Sequence, residues 1–274
     1  MYQEISQLLM YGDLDEDCIL YQMGEIFGKY ETGEYNKTGL VRDINVQVKR
    51  ILKVATDYGF DDNLWHNYLT FFLMMSENPF SMTCEKVGAS EGSVNALVQN
   101  DFRIFKELFD YDFGPIEKDL GISCFSQISD YKAIHKKDLM YNKNVSEKVR
   151  ALSKTLEAAK DEKEFFDGIT GFYKDYGVGM FGLNKAFRID EKPEGGIEFR
   201  AINNMDTVML DDLVGYEIQK KKLVDNTEAF VQGKKANNVL LFGDSGTGKS
   251  TSIKAIVNQY YKDGLRMIEI YKHQ

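Results

Sequence analysis

The chain has few of the residues that would mark it as secreted, metal-binding or membrane-spanning. Only three prolines occur in 274 residues, and of these only Pro79 and Pro115 precede residue 177. Little therefore interrupts helical runs in the first two thirds. The three cysteines, Cys18, Cys84 and Cys124, are odd in number, far apart and outside any CxxC or Cys/His ligand spacing. That excludes a disulfide framework and a structural zinc site, and the cysteines read as reduced thiols of a cytoplasmic protein. The three histidines, His66, His135 and His273, are scattered. None sits one helical turn from another metal-ligand type in a persuasive pattern, so they read as surface or core residues. The longest apolar run, Leu69 to Met75, falls far short of the roughly 20 residues that span a bilayer. The opening Met1-Tyr2-Gln3-Glu4-Ile5-Ser6 has no basic segment of the kind that begins an export signal. A basic excess is missing too. The 34 Lys and Arg against 43 Asp and Glu give a formal net charge of -9, which argues against a polyanion-coating surface and does not support nucleic-acid binding.

A core is affordable: 43% of the residues are hydrophobic and 13% aromatic. Up to about Tyr176 apolar residues recur at three- and four-residue steps, the period of a helix face. Leu40-Ile44-Val48-Ile51-Leu52 is one stripe. Leu64-Trp65-Tyr68-Phe71-Phe72 is a second, with Asp61 or Asp62 as its expected cap and Asn78-Pro79 as its stop. A third helix is expected from Asn144, where Glu147 completes capping-box spacing. Trp65, Phe71 and Phe102 are assigned to the core. Glu162, Glu164 and Asp167 read as a solvated acidic face. The segment Cys84 to Leu97 has the outline of a helix-turn-helix. Between Ser90 and Asp101, however, it offers Glu91 and Asp101 and no Lys or Arg for phosphates or base edges, so a tight helical corner explains it better than DNA reading.

After Gly177 the texture changes. Gly179-Met180-Phe181-Gly182 reads as a glycine-rich turn, and Ala186 to Ile189 and Ile197 to Ile202 as two strands around the turn Lys192-Pro193-Glu194-Gly195-Gly196. A helix is expected from Glu217 to Gln232, ended by Gly233. The expected organisation is a helical N-terminal domain over 1–176, a glycine-rich connection with a hairpin over 177–210, and the first part of a nucleotide-binding domain over 211–274. The fold class is thus mainly α-helical, followed by an α/β part that opens a P-loop parallel sheet.

The strongest motif lies in that last part. Gly243-Asp244-Ser245-Gly246-Thr247-Gly248-Lys249-Ser250 fits G-x-x-x-x-G-K-[ST] at every fixed position. Val239-Leu240-Leu241-Phe242 before it reads as a short buried strand, and Ser250 to Tyr261 after it as a helix closed by Gly264. Gly243, Gly246 and Gly248 allow positive φ and a close backbone approach to polyphosphate. Consecutive amides and the helix N-terminus then form an anion cradle. Lys249 is placed for the β- and γ-phosphates, the Ser250 hydroxyl for Mg²⁺, and the Thr251 hydroxyl for the α-phosphate. ATP and Mg²⁺ are the expected ligands. The plain alternative is a glycine-rich turn joining a strand to a helix.

This loop and its strand, preceded by Leu210-Asp211-Asp212-Leu213-Val214-Gly215-Tyr216-Glu217, resemble the start of an AAA+ ATPase module. More narrowly, the chain is similar to bacterial predicted AAA+ ATPases filed as a domain of unknown function. That resemblance extends upstream through Phe172 to Gly177 and Phe187-Arg188. It implies that Val214, Gly215 and Tyr216 line an adenine pocket, against the plainer reading of a linker turn. It also implies ATP hydrolysis coupled to a macromolecular partner, together with oligomer formation. The family's acidic pair, sensor and arginines would lie beyond Gln274, so the resemblance carries the expectation of a fragment cut after a second strand over Leu265 to Tyr271. Glu269 on that strand is not assigned as a base. Two other readings stay open: a P-loop kinase acting on a small molecule, and a helical interaction module with an inactive partial nucleotide domain.

Overall fold

The protein is described from a computed structural model covering residues 1–89, 92–134, 141–192, 195–203 and 205–271. His135, His273, Ser90, Glu91, Pro193 and Glu194 lie outside the described residues. The chain divides into two compact units, Met1–Gly179 and Met180–Gln274.

The first unit is helical: α1 (Tyr2–Ile5), α2 (Ile19–Thr32), α3 (Lys37–Tyr58), α4 (Leu64–Met75), α5 (Pro79–Val87), α6 (Ser93–Phe109), α7 (Gly114–Leu120), α8 (Cys124–Ser129), α9 (Lys143–Glu157) and α10 (Glu162–Tyr176). α10 packs on α5, α6 and α9, and α4 packs on α3, α6 and α9. The prolines start helices rather than break them, since Pro79 is the first residue of α5 and Pro115 lies in the first turn of α7. Those positions carry no intrahelical N–H bond for proline to lose. Asn78 and Ser81 form a reciprocal capping box at α5.

Three expected helix boundaries shift. The cap of α4 is Asn63, whose side chain accepts the His66 N–H at 3.1 Å, and neither Asp61 nor Asp62. Asp61 is engaged elsewhere, accepting the Ala133 N–H at 3.0 Å. α4 also stops at Ser76, before Asn78-Pro79. At α9 the cap is Asn142, two residues before the expected Asn144, and it accepts the Val145 N–H at 3.2 Å. Trp65 and Phe102 are buried as expected, but Phe71 is only half-buried and rests against Tyr58 and Phe60. Trp65 donates its Nε1–H to the Leu108 carbonyl at 2.9 Å. Tyr173 donates to the Leu73 carbonyl at 2.7 Å and receives the Tyr11 hydroxyl at 2.8 Å, so the buried phenols are satisfied in series.

The second unit comprises α11 (Gly179–Leu183), β1 (Ala186–Glu191), β2 (Ile197–Ala201), a 3₁₀ turn at Leu210–Asp212, α12 (Glu217–Val231), α13 (Lys249–Tyr260) and β3 (Met267–Glu269). The stretch expected as a glycine-rich turn at 179–182 is the helix α11, because only Gly179 takes positive φ there. β1 and β2 form the expected antiparallel hairpin, with Phe187 opposite Ala201 and Glu191 opposite Ile197. β3 joins the other edge of β1 in parallel, giving the order β2-β1-β3. The Arg188 side chain donates to Glu269 across that pair at 2.8 Å. A helical region followed by a small α/β part is the fold class that composition and periodicity indicate.

The strand expected at 239–242 does not form. Both edges of β1 are taken by β2 and β3, and Val239 to Phe242 pairs with neither of the outer edges that those two strands leave open. The segment is instead anchored just upstream, where Asn226 on α12 accepts the Asn237 N–H at 2.8 Å and donates to its carbonyl at 2.9 Å. Leu240 and Phe242, expected to be buried, are 81% and 86% exposed.

Candidate functional site

The core of the second unit holds α12 against α13. Leu223 of α12 packs with Leu210, Ala255, Ile256 and Tyr260, and Leu213 and Val224 border the cluster. Tyr260 donates its hydroxyl to Glu228 at 2.9 Å, which ties the same two helices at their far ends. This packing brings the start of α12 beside the start of α13, so the two segments singled out by motif line one cleft of about 510 Å³.

One wall is the glycine loop. Gly243, Gly246 and Gly248 all take positive φ, at 140°, 80° and 80°. A Cβ on Gly246 would meet nothing within 4 Å, whereas one on Gly248 would come 3.8 Å from Leu213 Cδ2. The glycines are therefore required by backbone conformation and not by crowding. Gly248 is the N-cap of α13 and has no side-chain oxygen to offer, so the amides of Lys249, Ser250 and Thr251 have no intrahelical or capping partner. They form the positive end of the helix.

The loop folds around its own lysine. Lys249 Nζ donates to the Gly243 carbonyl at 3.0 Å, to the Asp244 carbonyl at 2.5 Å and to Thr247 Oγ1 at 3.3 Å, and Thr247 in turn donates to the Asp244 carbonyl at 2.9 Å. An ammonium therefore sits inside the bend with neutral oxygens as its partners. A phosphate oxygen would compete for it well, because an anionic acceptor adds a charge–charge attraction that a neutral carbonyl lacks.

The opposite wall is the turn Leu213-Val214-Gly215-Tyr216 with the first turns of α12. Val214, Gly215 and Tyr216 border the cleft, as do Gly243, Gly246, Thr247, Gly248 and Lys249. Asp244, Ser245, Ser250 and Thr251 belong to the loop and the start of α13 but do not line the cleft itself. Gln219, Lys220, Leu223 and Ser252 also line it and were not anticipated. The signal was present: Tyr216, Gln219, Lys220 and Leu223 follow the i, i+3, i+4, i+7 spacing of a single helix face. Ser252 is turned inward by its own bond to the Gly248 carbonyl at 2.8 Å. Among the described residues no group of His, Cys, Asp or Glu could hold a metal ion. His66 is a core residue, stacked on Phe109 and bonded through Nε2 to the Phe109 carbonyl at 2.7 Å. No helix among the described residues is long and apolar enough to cross a membrane.

Residues 183–274, which contain this cleft, match a family described as Protein of unknown function (DUF815). A second match is to the replication factor C large subunit of Methanococcus vannielii, 40% identical over 58 residues. That stretch spans 21% of this chain and 12% of the archaeal protein. No solved structure matches. Both matches support a likeness to AAA+ ATPases. Each match covers well under half of the chain, and the family match lies within the second unit, which leaves the helical unit to be read from its own residues.

Proposed function

We propose that the second unit binds ATP with Mg²⁺ in the cleft between α12 and α13, as the nucleotide site of an AAA+ ATPase. One observation carries the reading: an ammonium is held inside a glycine bend by exchangeable carbonyl partners, at the uncapped N-terminus of a helix. The residues present fit the group. Backbone amides from Gly246 to Thr251 would hold the phosphates, with Lys249 on the outer ones and the Thr251 hydroxyl near the α-phosphate. Asp244 and Ser245 shape the bend. The Ser250 hydroxyl is exposed at the helix start and would be the protein's ligand to Mg²⁺, a cation that favours oxygen and retains waters. Val214, Gly215 and Tyr216 would receive the base. Bound magnesium nucleotide supplies the phosphoryl group whose hydrolysis AAA+ proteins use, and this chain's residues bind and orient it.

Hydrolysis, assembly into an oligomer, and action on a macromolecular partner belong to the same proposal and rest on the AAA+ likeness. Titration of the chain with a fluorescent ATP analogue, native against Lys249→Ala, tests the binding step. The expected result is a loss of affinity of about tenfold or more, the equivalent of about 1.4 kcal/mol. Equal affinity for the two proteins would remove the proposal.

A further inference from the structure

The turn from Leu213 to Tyr216 is held in a form that its own residues do not favour. Tyr216 is left-handed, at φ 57° and ψ 34°, directly after Gly215 at φ 83°. Asp62 is the other non-glycine residue with positive φ among the described residues. A tyrosine in this region is strained, and such strain persists only where surrounding contacts fix it. Core packing holds the turn at Leu213 and does not fix Val214 or Tyr216, which are 94% and 58% exposed.

Lys220 does. Its backbone N–H donates to the Tyr216 carbonyl at 2.8 Å, and its Nζ donates to the Leu213 carbonyl at 2.8 Å. One residue therefore ties both ends of the turn. The ammonium is further held by Glu217 Oε1 at 2.8 Å, and the Lys220 side chain is only 17% exposed although it carries a charge. It lies on the wall of the cleft, on the α12 side, while the glycine loop forms the other wall.

We infer that Lys220 is a positioning residue for the nucleobase: it pins the Leu213–Tyr216 turn in the form that receives a purine, acting through the Leu213 carbonyl and not on the phosphates. The inference rests on the reading of this cleft as a nucleotide site. Removing the ammonium leaves the Leu213 carbonyl without its donor and lets Tyr216 relax out of the left-handed region. The base wall is lost while the glycine loop keeps its own bonds.

The two walls can be probed separately in the full chain by calorimetric titration with Mg-ATP and with magnesium tripolyphosphate, which has no base. Lys220→Met is expected to weaken Mg-ATP about tenfold and to leave tripolyphosphate within about twofold of native. Lys220→Arg, which keeps a charged donor, should recover most of the ATP affinity. Unchanged ATP affinity in Lys220→Met overturns the inference, and so does an equal fall for both ligands, which would mean general loss of the fold. If the native chain binds neither ligand, or Lys249→Ala binds both as well as native, the nucleotide reading itself has failed and the inference falls with it.

Discussion

Asp101 offers the sharpest test of how the helical unit is held together. Its carboxylate is fully buried on α6 and accepts three consecutive backbone N–H groups from the N-terminal segment: Leu9 at 3.0 and 3.1 Å, Met10 at 2.7 Å and Tyr11 at 3.0 Å. Asp101→Asn keeps the shape and removes the charge. In its better orientation the amide oxygen replaces Oδ2 and still accepts all three amides, while the NH₂ replaces Oδ1 beside Leu9. The loss is then mainly charge assistance. Bonds to a charged acceptor contribute about 1.5–3 kcal/mol against about 0.5–1.5 for neutral ones, so three of them lose about 3 kcal/mol. Asp101→Ala should cost more, about 3–5 kcal/mol, because the Tyr11 amide is buried and would be left without an acceptor. Urea denaturation followed by fluorescence reads this directly, since Trp65 is the single tryptophan and is buried in the same unit. A loss of about 3 kcal/mol should also lower Tm by about 6–12 °C for a unit of this size. If Asp101→Asn lies within about 0.5 kcal/mol of native, the range expected for a neutral surface change, the carboxylate does not anchor the N-terminus and the reasoning is wrong.

Other sites give smaller and distinct signals. Burial pushes the His66 pKa below its ordinary 6.5, against the opposing pull of the Phe109 carbonyl and of Glu157, whose carboxylate lies 3.6 Å from Nδ1. The unfolded chain therefore binds more protons just below pH 6.5, and stability should fall as the pH drops through that window. His66→Gln, which keeps a donor for the Phe109 carbonyl, should flatten this dependence between pH 7 and 5, and equal slopes in urea titrations would count against the assignment. Gly59→Ala should destabilise the first unit by about 2 kcal/mol or more, because a Cβ at φ 69° would also lie 2.5 Å from the Tyr141 ring; a change under about 0.5 kcal/mol would show that the ring moves freely. Gly248→Ala has room beside Leu213 but must hold alanine at φ 80°. A cost of about 1–2 kcal/mol, seen as faster exchange of the bonded α13 amides from Ser252 onward, is the expected outcome, and unchanged protection would contradict it.

What could be read in advance is what a few neighbouring residues decide. The hairpin from Ala186 to Ala201, the end of α12 before Gly233 and the left-handed glycines of the loop each follow from local chemistry. Caps were misplaced by one or two residues because several Asp and Asn side chains compete for each helix start. Asn63 and Asn142 hold the positions, while Asp61 is drawn to Ala133, which is distant in sequence. Strand pairing lies beyond any local pattern. Val239 to Phe242 has strand composition, yet a strand exists only as half of a ladder, and β1 accepts β3 from 81 positions downstream. Asp101 was invisible for the same reason: its partners are 90 to 92 residues away. At the cleft, the loop announced itself through its motif, whereas Lys220 and Gln219 could have been found only by carrying the helix face of Tyr216 forward.

The same packing explains why two segments 30 residues apart can act as one site. The buried residues of α12 include Leu223 and those of α13 include Ala255 and Ile256, and their contact sets the separation of the helix starts before any ligand arrives. Leu213 then borders both the core cluster and, across 3.8 Å, the position where Gly248 would carry a side chain. Lys220 binds the carbonyl of that same residue, so the turn is fixed from the α12 side while the glycine loop is held by its own bonds to Lys249. Shortening Leu213 to alanine should therefore leave tripolyphosphate affinity within about twofold of native, and a larger fall in a calorimetric titration would show that the two walls are coupled.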